Sequence, residues 1–155
     1  MLDIPSISAI VAAIGVLVGI VFALLQLRDL VKTRQTDLVI RLYSTVTSKE
    51  FLEAYEKTLA REYRDYDDYG KKYGWSDYME VAVFLEELGV LLHRKLIDIG
   101  LVDDLFSTPI KMSWEKMKPV VEDRRKRLNR PQWLEWSEYL YNEMQKREEK
   151  LAKTQ

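Results

Sequence analysis

The hydrophobic pattern of the chain begins with an unbroken apolar run, ISAIVAAIGVLVGIVFALLQL, at residues 7–27. No residue in this run is charged, and its only polar side chains are Ser8 and Gln26. A helix rises ~1.5 Å per residue, so a run of about 21 residues spans roughly 30 Å, the thickness of a bilayer's hydrocarbon core. The pattern therefore predicts a transmembrane anchor over residues 1–27.

Two other structures can carry a run of this kind. A buried helix of a soluble core usually has a polar stripe, which this run lacks. A cleaved signal peptide has a basic n-region, a shorter apolar stretch and a small-residue cleavage site. Residues 1–5 contain one acid, Asp3, and no base, and the run ends in Leu-Leu-Gln-Leu-Arg. An uncleaved anchor is favoured over both alternatives.

The charges beside the run predict its orientation. Arg28, Lys32 and Arg34 follow the run closely, and no Lys or Arg precedes it. Because segments rich in Lys and Arg stay on the cytoplasmic side, we expect a single-pass protein of the cell membrane with its N-terminus outside and residues 28–155 in the cytoplasm. Pro5 suits a first helical turn, with Ser6 or Asp3 as its cap.

Small residues form one face of the predicted span. Gly15 and Gly19 make a GxxxG pair, and the stripe is extended at helical spacing by Ser8, Ala12 and Ala23. Small side chains allow two helices to approach closely in lipid. The face predicts packing against a second copy, as a dimer or higher oligomer, or against another membrane protein. The alternative is that Gly and Ala are simply frequent in spans.

Apolar positions after the span recur at helical spacing, and no segment shows sustained strand alternation. The pattern predicts an all-α fold in which a single N-terminal transmembrane helix continues into a compact cytoplasmic bundle of about five helices, residues 28–155. The first helix is expected to end near residues 44–47. Thr47 and Glu50 have capping-box spacing for a second helix that runs to about Arg64.

The remaining boundaries follow from turn and cap residues. Residues 65–74 predict a short capped helix, and the next helix opens at residues 76–77 and ends near residues 95–96. Asp98 can cap a short helix that ends near residue 106, and Thr108-Pro109 is typical of the start of another.

That helix is expected to bend at Pro119 and to end at a turn over residues 129–131. A last helix then holds two of the four tryptophans, Trp133 and Trp136. All four are expected in the core or in helix seams, the other two being Trp75 and Trp114.

Composition limits the chemistry that the chain can perform. About 128 residues follow residue 27, and because Asp3 precedes the run, they carry 24 acids against 24 bases. A neutral domain does not favour wholesale binding to nucleic acid. The absence of Cys excludes disulfides, thiolate catalysis and Cys-ligated metals.

No catalytic or cofactor motif is recognisable. His93 is the only histidine, and neither acids nor a second histidine stand three or four residues from it, as a helical metal site would require. Phosphate-binding loops, nucleophile elbows and dinucleotide fingerprints are also absent from the sequence. We therefore expect no enzyme activity, no cofactor and no metal site, and a helix-end role for His93.

Three polar or aromatic groups remain as candidate sites. Glu87 lies on an apolar helix and is expected to form a structural ion pair, for which Arg94, Arg124 and Arg125 are candidates and Arg125 is the one chosen. The alternative is that Glu87 is a catalytic carboxylate. The densest basic patch can be a solvated face, or can meet lipid headgroups or nucleic-acid phosphates; it contains Arg124, Arg125, Lys126, Arg127 and Arg130. Five tyrosines near the second and third helices predict an exposed amphipathic surface, namely Tyr63, Tyr66, Tyr69, Tyr73 and Tyr78.

Four segments together resemble a known family: FLEELGVLLHRKLID from residue 84, LVDDLF from 101, WEKMKPVVEDRR from 114 and EYLYNEM from 138. The chain is similar, over residues 39–149, to a prokaryotic family of domains of unknown function, bacterial and archaeal. Its members often carry one N-terminal span before an all-helical domain. The resemblance implies that architecture, no assigned activity, and domain-defining roles for Glu87, Trp114, Pro119 and Arg125.

The sequence thus predicts a non-enzymatic, membrane-anchored helical interaction protein or an accessory subunit of a membrane complex. Its expected partners are membrane lipid and either a second copy or another membrane protein. The alternative is a membrane-tethered protein that binds nucleic acid or anionic lipid through the patch at residues 124–130, with nucleic acid disfavoured. An enzyme or metal protein that uses Glu87 and His93 is the third and weakest alternative.

Overall fold

A computed structural model describes residues 4–153, with the side chains of Ser8 and of residues 11–153. The proposed cap Asp3 and the side chains of Pro5 and Ser6 lie outside this description. Six helices follow one another in the described part: α1 (Ile4–Val46), α2 (Lys49–Ala60), α3 (Tyr66–Tyr73), α4 (Ser76–His93), α5 (Ile99–Leu128) and α6 (Glu135–Ala152). Residues 4–153 contain no strand. The all-α prediction is confirmed, with six helices rather than about five.

The chain divides into two units, residues 1–40 and residues 41–155. The domain boundary predicted from the sequence, at residue 27, marks the end of the apolar run and does not coincide with the boundary between these two units. Helix α1 contains a stretch, Val11–Val46, whose most apolar window is long and apolar enough to cross a membrane, and none of that window is buried. A signal sequence has the same properties.

Helix α4 is the central element of the second unit. It packs most extensively against α6 and α2, and also contacts α5. Its buried face includes Tyr78, Leu85 and Leu88, and α5 and α6 contribute fully buried side chains such as Phe106 and Leu140. The apolar positions of α4 recur every three or four residues, so one broad face of the helix enters the core.

A glycine allows α4 and α6 to approach closely. A Cβ atom placed on Gly89 would overlap the backbone carbonyl of Trp136. The two helix backbones therefore meet at a distance that no other residue permits, and Gly89 is buried at the contact.

Helix α5 is continuous where the sequence predicted a break at Thr108-Pro109. That prediction is wrong. Proline has no N–H, so the carbonyl one turn before Pro109 loses its helical partner. Phe106 and Ile110 stand on either side of this position and are almost completely buried, and their burial offsets the lost hydrogen bond. Pro119 likewise lies inside the helix.

The cap of α2 also differs from the prediction. Ser48, not Thr47, is the N-cap, and its hydroxyl accepts a hydrogen bond from the Phe51 N–H at 3.2 Å. The Thr47 hydroxyl instead donates to the Tyr43 carbonyl at 2.9 Å. The predicted capping box is therefore wrong, and α2 ends at Ala60 rather than near Arg64.

Two predicted caps are confirmed. The carboxylate of Asp65 accepts from the Asp68 N–H at the start of α3, and that of Asp98 accepts from Gly100 and Leu101 at the start of α5. At the other end of α5, Asn129 adopts a left-handed conformation that ends the helix in the predicted turn.

Candidate interaction site

The small-residue face of α1 is open within the chain. Its five members are exposed: Ser8, Ala12, Gly15, Gly19 and Ala23. A Cβ atom added to Gly15 or Gly19 would meet no atom within 4 Å. The apolar side chains around them are also exposed, for example Val16 and Leu17 at 62% and 63%.

Most side chains of the basic patch at residues 124–130 already have partners within the second unit. The Arg124 guanidinium lies 4.3 Å from the ring centre of Trp133 and 5.5 Å from that of Trp75. Stacking of this kind holds a cation against aromatic faces rather than presenting it to solvent. Arg127 bonds to Asp123 and Asp67. The patch is therefore not one free cationic surface, since only Lys126 and Arg130 remain exposed without a side-chain partner among the described residues.

Arg125 forms an ion pair, but not the predicted one. Its Nη1 lies 2.7 Å from a carboxylate oxygen of Glu138, and its Nε donates to the Trp133 carbonyl at 2.8 Å. Glu87 is exposed. The predicted pair of Glu87 with Arg125 is wrong, because Glu138 of α6 occupies the place of the acid.

The neighbouring acid, Glu86, has a structural role that the sequence reasoning missed. Its carboxylate accepts from the Ser137 N–H at 2.9 Å and from the Ser137 hydroxyl at 2.8 Å. Ser137 belongs to the first turn of α6, where backbone N–H groups have no partner within the helix. The N-cap residue of α6, Leu134, supplies no side-chain bond. A carboxylate of α4 therefore caps α6.

The predicted tyrosine surface is an internal cluster instead. Tyr69 and Tyr78 are buried, and none of the other three tyrosines is exposed. Their rings surround Trp75, with ring centres 4.5 Å from Tyr66 and 5.2 Å from Tyr69. The prediction is wrong because these aromatic rings bury one another, and one argument for a partner is lost with it.

Hydrogen bonding and burial change the acidity of groups in this cluster. Burial, and then the hydrogen bond that Tyr63 donates to Asp123 at 2.6 Å, raise the pKa of Tyr63 well above its ordinary value. The same hydrogen bond is the main cause that lowers the pKa of Asp123. The Asp68 N–H likewise lowers the pKa of Asp65. These shifts accompany hydrogen bonds that join or begin helices of the second unit.

His93 lies at the end of α4, as expected for a helix-end residue. It is exposed, and its ring centre is 4.3 Å from that of Trp136 and 5.3 Å from that of Tyr139. Within the described part of the chain, no group of three or more His, Asp or Glu side chains could hold a metal ion.

The second unit has a groove beside α4. One wall is the α4 face with Met79, Val83 and Glu87, and the other is the turn before α6 with Arg130 and Trp133. Its volume is about 570 Å³, its lining is mostly apolar, and we call it the α4 groove. A second hollow of about 420 Å³ shares Met79, Val83 and Glu87 and continues past Glu80 to Phe51.

The groove leaves both apolar and charged groups without partners. Val83, which lines the groove, is 54% exposed. Glu87 and Arg130 line the groove, and Glu80 lines the neighbouring hollow on the same helix. All three are exposed, and none of their side chains makes a hydrogen bond or ion pair with the residues that the structure describes. One feature of the sequence could have indicated this groove. Helix α4 has apolar residues on more of its surface than burial of a single face requires.

Comparisons with known proteins identify a family and no activity. No curated protein and no solved structure matches the chain. A family model, Domain of unknown function (DUF4760), matches residues 13–144 and so includes most of the 39–149 segment that carried the resemblance. The prokaryotic source that the resemblance implied stays a prediction. Since the match covers well over half of the sequence, this chain belongs to the DUF4760 family.

Proposed function

We propose that the protein is a membrane-anchored interaction protein, in which α1 crosses the bilayer once and residues 41–155 present a docking surface in the cytoplasm. The observation that carries the proposal is the uniform exposure of the apolar stretch of α1. Contiguous apolar surface of this extent is unfavourable in water and marks a membrane or protein contact. Soluble core helices are instead mostly buried.

The second unit supports binding rather than catalysis. It carries an open groove with a mostly apolar lining that also includes Glu86, Glu87 and Arg130. The described residues form no metal-binding cluster. The alternative of an anionic ligand at residues 124–130 loses support, because Arg124, Arg125 and Arg127 already bind aromatic rings or carboxylates of the same unit.

The absence of Cys makes anchoring and orientation directly testable. Leu2→Cys and Lys153→Cys each introduce one thiol into the full chain. In intact cells, a membrane-impermeant maleimide should label the first thiol and label the second only after permeabilisation. The protein should remain in the membrane fraction after alkaline extraction, and its mass should be that of the full-length chain.

Each other outcome has a definite meaning. Loss of the N-terminal residues from the mature protein would show a cleaved signal sequence. Release by alkali would show that α1 does not span the bilayer. If Lys153→Cys were labelled in intact cells and Leu2→Cys were protected, α1 would still be a membrane anchor but its orientation would be the reverse of the proposed one.

A further inference from the structure

We infer that the α4 groove binds an amphipathic helix of another protein, with apolar residues along one face and Lys or Arg residues along one flank. The inference rests on the proposed function, because it names the partner class of an interaction protein. Helix-in-groove docking is a recurring mode of recognition and needs an apolar floor of helical length. The groove supplies this floor.

The dimensions of the groove suit about three turns of helix. Its α4 wall runs from Met79 to Leu91, which is about 18 Å at the rise of an α-helix. Met79, Val83 and Val90 follow one another at helical intervals along this wall. A partner helix with apolar residues at the same intervals would fill the floor, and the flexible Met79 side chain can adapt to it.

Charge distinguishes between possible occupants. Glu80 and Glu87 are two turns apart on α4 and therefore form one acidic edge beside the apolar stripe. Arg130 lies on the opposite wall. A helix with basic residues on the α4 side matches this arrangement, and Arg130 prevents the helix from binding with its basic flank reversed.

The same charges disfavour a second copy. Two α4 helices packed antiparallel about Val83 would place Glu80 of each copy opposite Glu86 and Glu87 of the other. A parallel pair would place Glu87 against Glu87. Both arrangements bring negatively charged carboxylates together over an apolar contact, where their repulsion is poorly screened.

The test uses the full chain in nanodiscs of phosphatidylcholine and two synthetic probes. Both are amphipathic helices of equal length with a benzophenone on the apolar face, one built from Leu and Lys and the other from Leu and Glu. Photoexcited benzophenone reacts readily with methionine, and the chain provides an internal comparison. Met79 lines the groove, whereas Met112 lies outside it on α5 and is 47% exposed.

We expect the Leu/Lys probe to label Met79 at least about tenfold more than Met112, which corresponds to about 1.4 kcal/mol of preferential binding. The Leu/Glu probe should show no such preference. The double variant Glu80→Lys/Glu87→Lys should abolish labelling of Met79 and leave that of Met112 unchanged. Glu53→Lys/Glu56→Lys, an exposed pair on α2 outside the groove, is the matched control and should keep the labelling of Met79.

Equal labelling of Met79 and Met112, or an equal preference with both probes, would overturn the inference. Rapid disulfide formation between copies of Val83→Cys would overturn it in favour of a second copy. These outcomes are separate from the proposed function, because membrane anchoring and orientation are read from the thiol-labelling experiment and do not depend on the groove.

Discussion

Gly89 is the residue at which the packing of α4 on α6 has the least freedom. Gly89→Ala would force its Cβ into the Trp136 carbonyl, and the backbones would have to separate. We expect the free energy of unfolding to fall by about 1–3 kcal/mol or more, the range for overpacking. Urea unfolding of the full chain in detergent, followed by tryptophan fluorescence, measures this loss. Val83→Ala on the exposed face of the same helix should change stability by less than about 0.5 kcal/mol, and a comparable loss in both variants would contradict the explanation.

The Glu86–Ser137 contact gives a second prediction at the residue scale. Glu86→Ala leaves the buried Ser137 N–H and hydroxyl without their acceptor, so the free energy of unfolding should fall by about 1–2 kcal/mol, the size of a lost helix cap. Glu86→Gln retains an acceptor oxygen and should recover part of the loss. Glu87→Ala is the matched control, because this adjacent acid has no partner among the described residues. Equal stability of the Glu86→Ala and Glu87→Ala variants would show that the contact does not cap α6.

These contacts show what the sequence could not specify at the residue scale. Glu86 and Glu87 are adjacent, yet successive helical residues point about 100° apart, so one reaches α6 and the other faces solvent. The choice depends on where α6 begins. Likewise, Arg125 contacts the Trp133 carbonyl and Glu138 on either side of the left-handed Leu134, a turn that no local pattern indicated.

At the element scale, local signals predicted most helix boundaries. Asp65, Asp98 and Asn129 each act on the residues beside them, so their effect can be predicted from sequence. The break expected at Pro109 failed for the opposite reason, since distant core contacts of Phe106 and Ile110 override a local rule. The prediction of an exposed tyrosine surface was wrong for a similar reason, because the exposure of each ring depends on which other rings it contacts after folding.

The small-residue face of helix α1 gives a prediction about association in the bilayer. If its small-residue face mediates association in the bilayer, Gly15→Leu/Gly19→Leu should reduce crosslinked dimer or partner complex at least about tenfold, because bulky side chains keep the helix backbones apart. Crosslinking in native membranes measures the effect. Val16→Leu/Leu17→Val, on a different part of the helix surface, keeps the volume of the span and should leave association unchanged. Equal crosslinking of both double variants would remove this face as a contact surface.

At the scale of the whole molecule, we propose two separable interactions, one made by the exposed apolar helix and one by the α4 groove. The sequence predicted the first, because a membrane span needs only composition and length. It did not predict the second, because a groove is formed by segments far apart in the chain, α4 and the turn at residues 130–134. A sequence can be searched directly for the residue types that catalysis requires, whereas a docking surface depends on a shape that only the folded chain shows.

The stability of the whole chain should also depend on pH in the acidic range. Hydrogen bonds from Tyr63 and from the Asp68 N–H lower the folded-state pKa values of Asp123 and Asp65, respectively, below their ordinary values. A group of this kind stabilises the fold above its unfolded pKa, about 3.9, and the contribution is lost as the pH falls toward the folded pKa. The free energy of unfolding should therefore be nearly constant above about pH 5 and decrease below about pH 4.

Variants at the two acids test this assignment. Asp65→Asn/Asp123→Asn should lower stability near neutral pH and flatten its decrease in acid, because neither position then releases a proton on folding. Urea unfolding at several pH values measures both effects. Asp104→Asn, at an exposed acid with no hydrogen bond or ion pair among the described residues, is the matched control and should keep the acid dependence of the unsubstituted chain. An unchanged slope in the double variant would place the acid sensitivity in other carboxylates and leave the start of α3 and the Tyr63–Asp123 contact with a purely packing role.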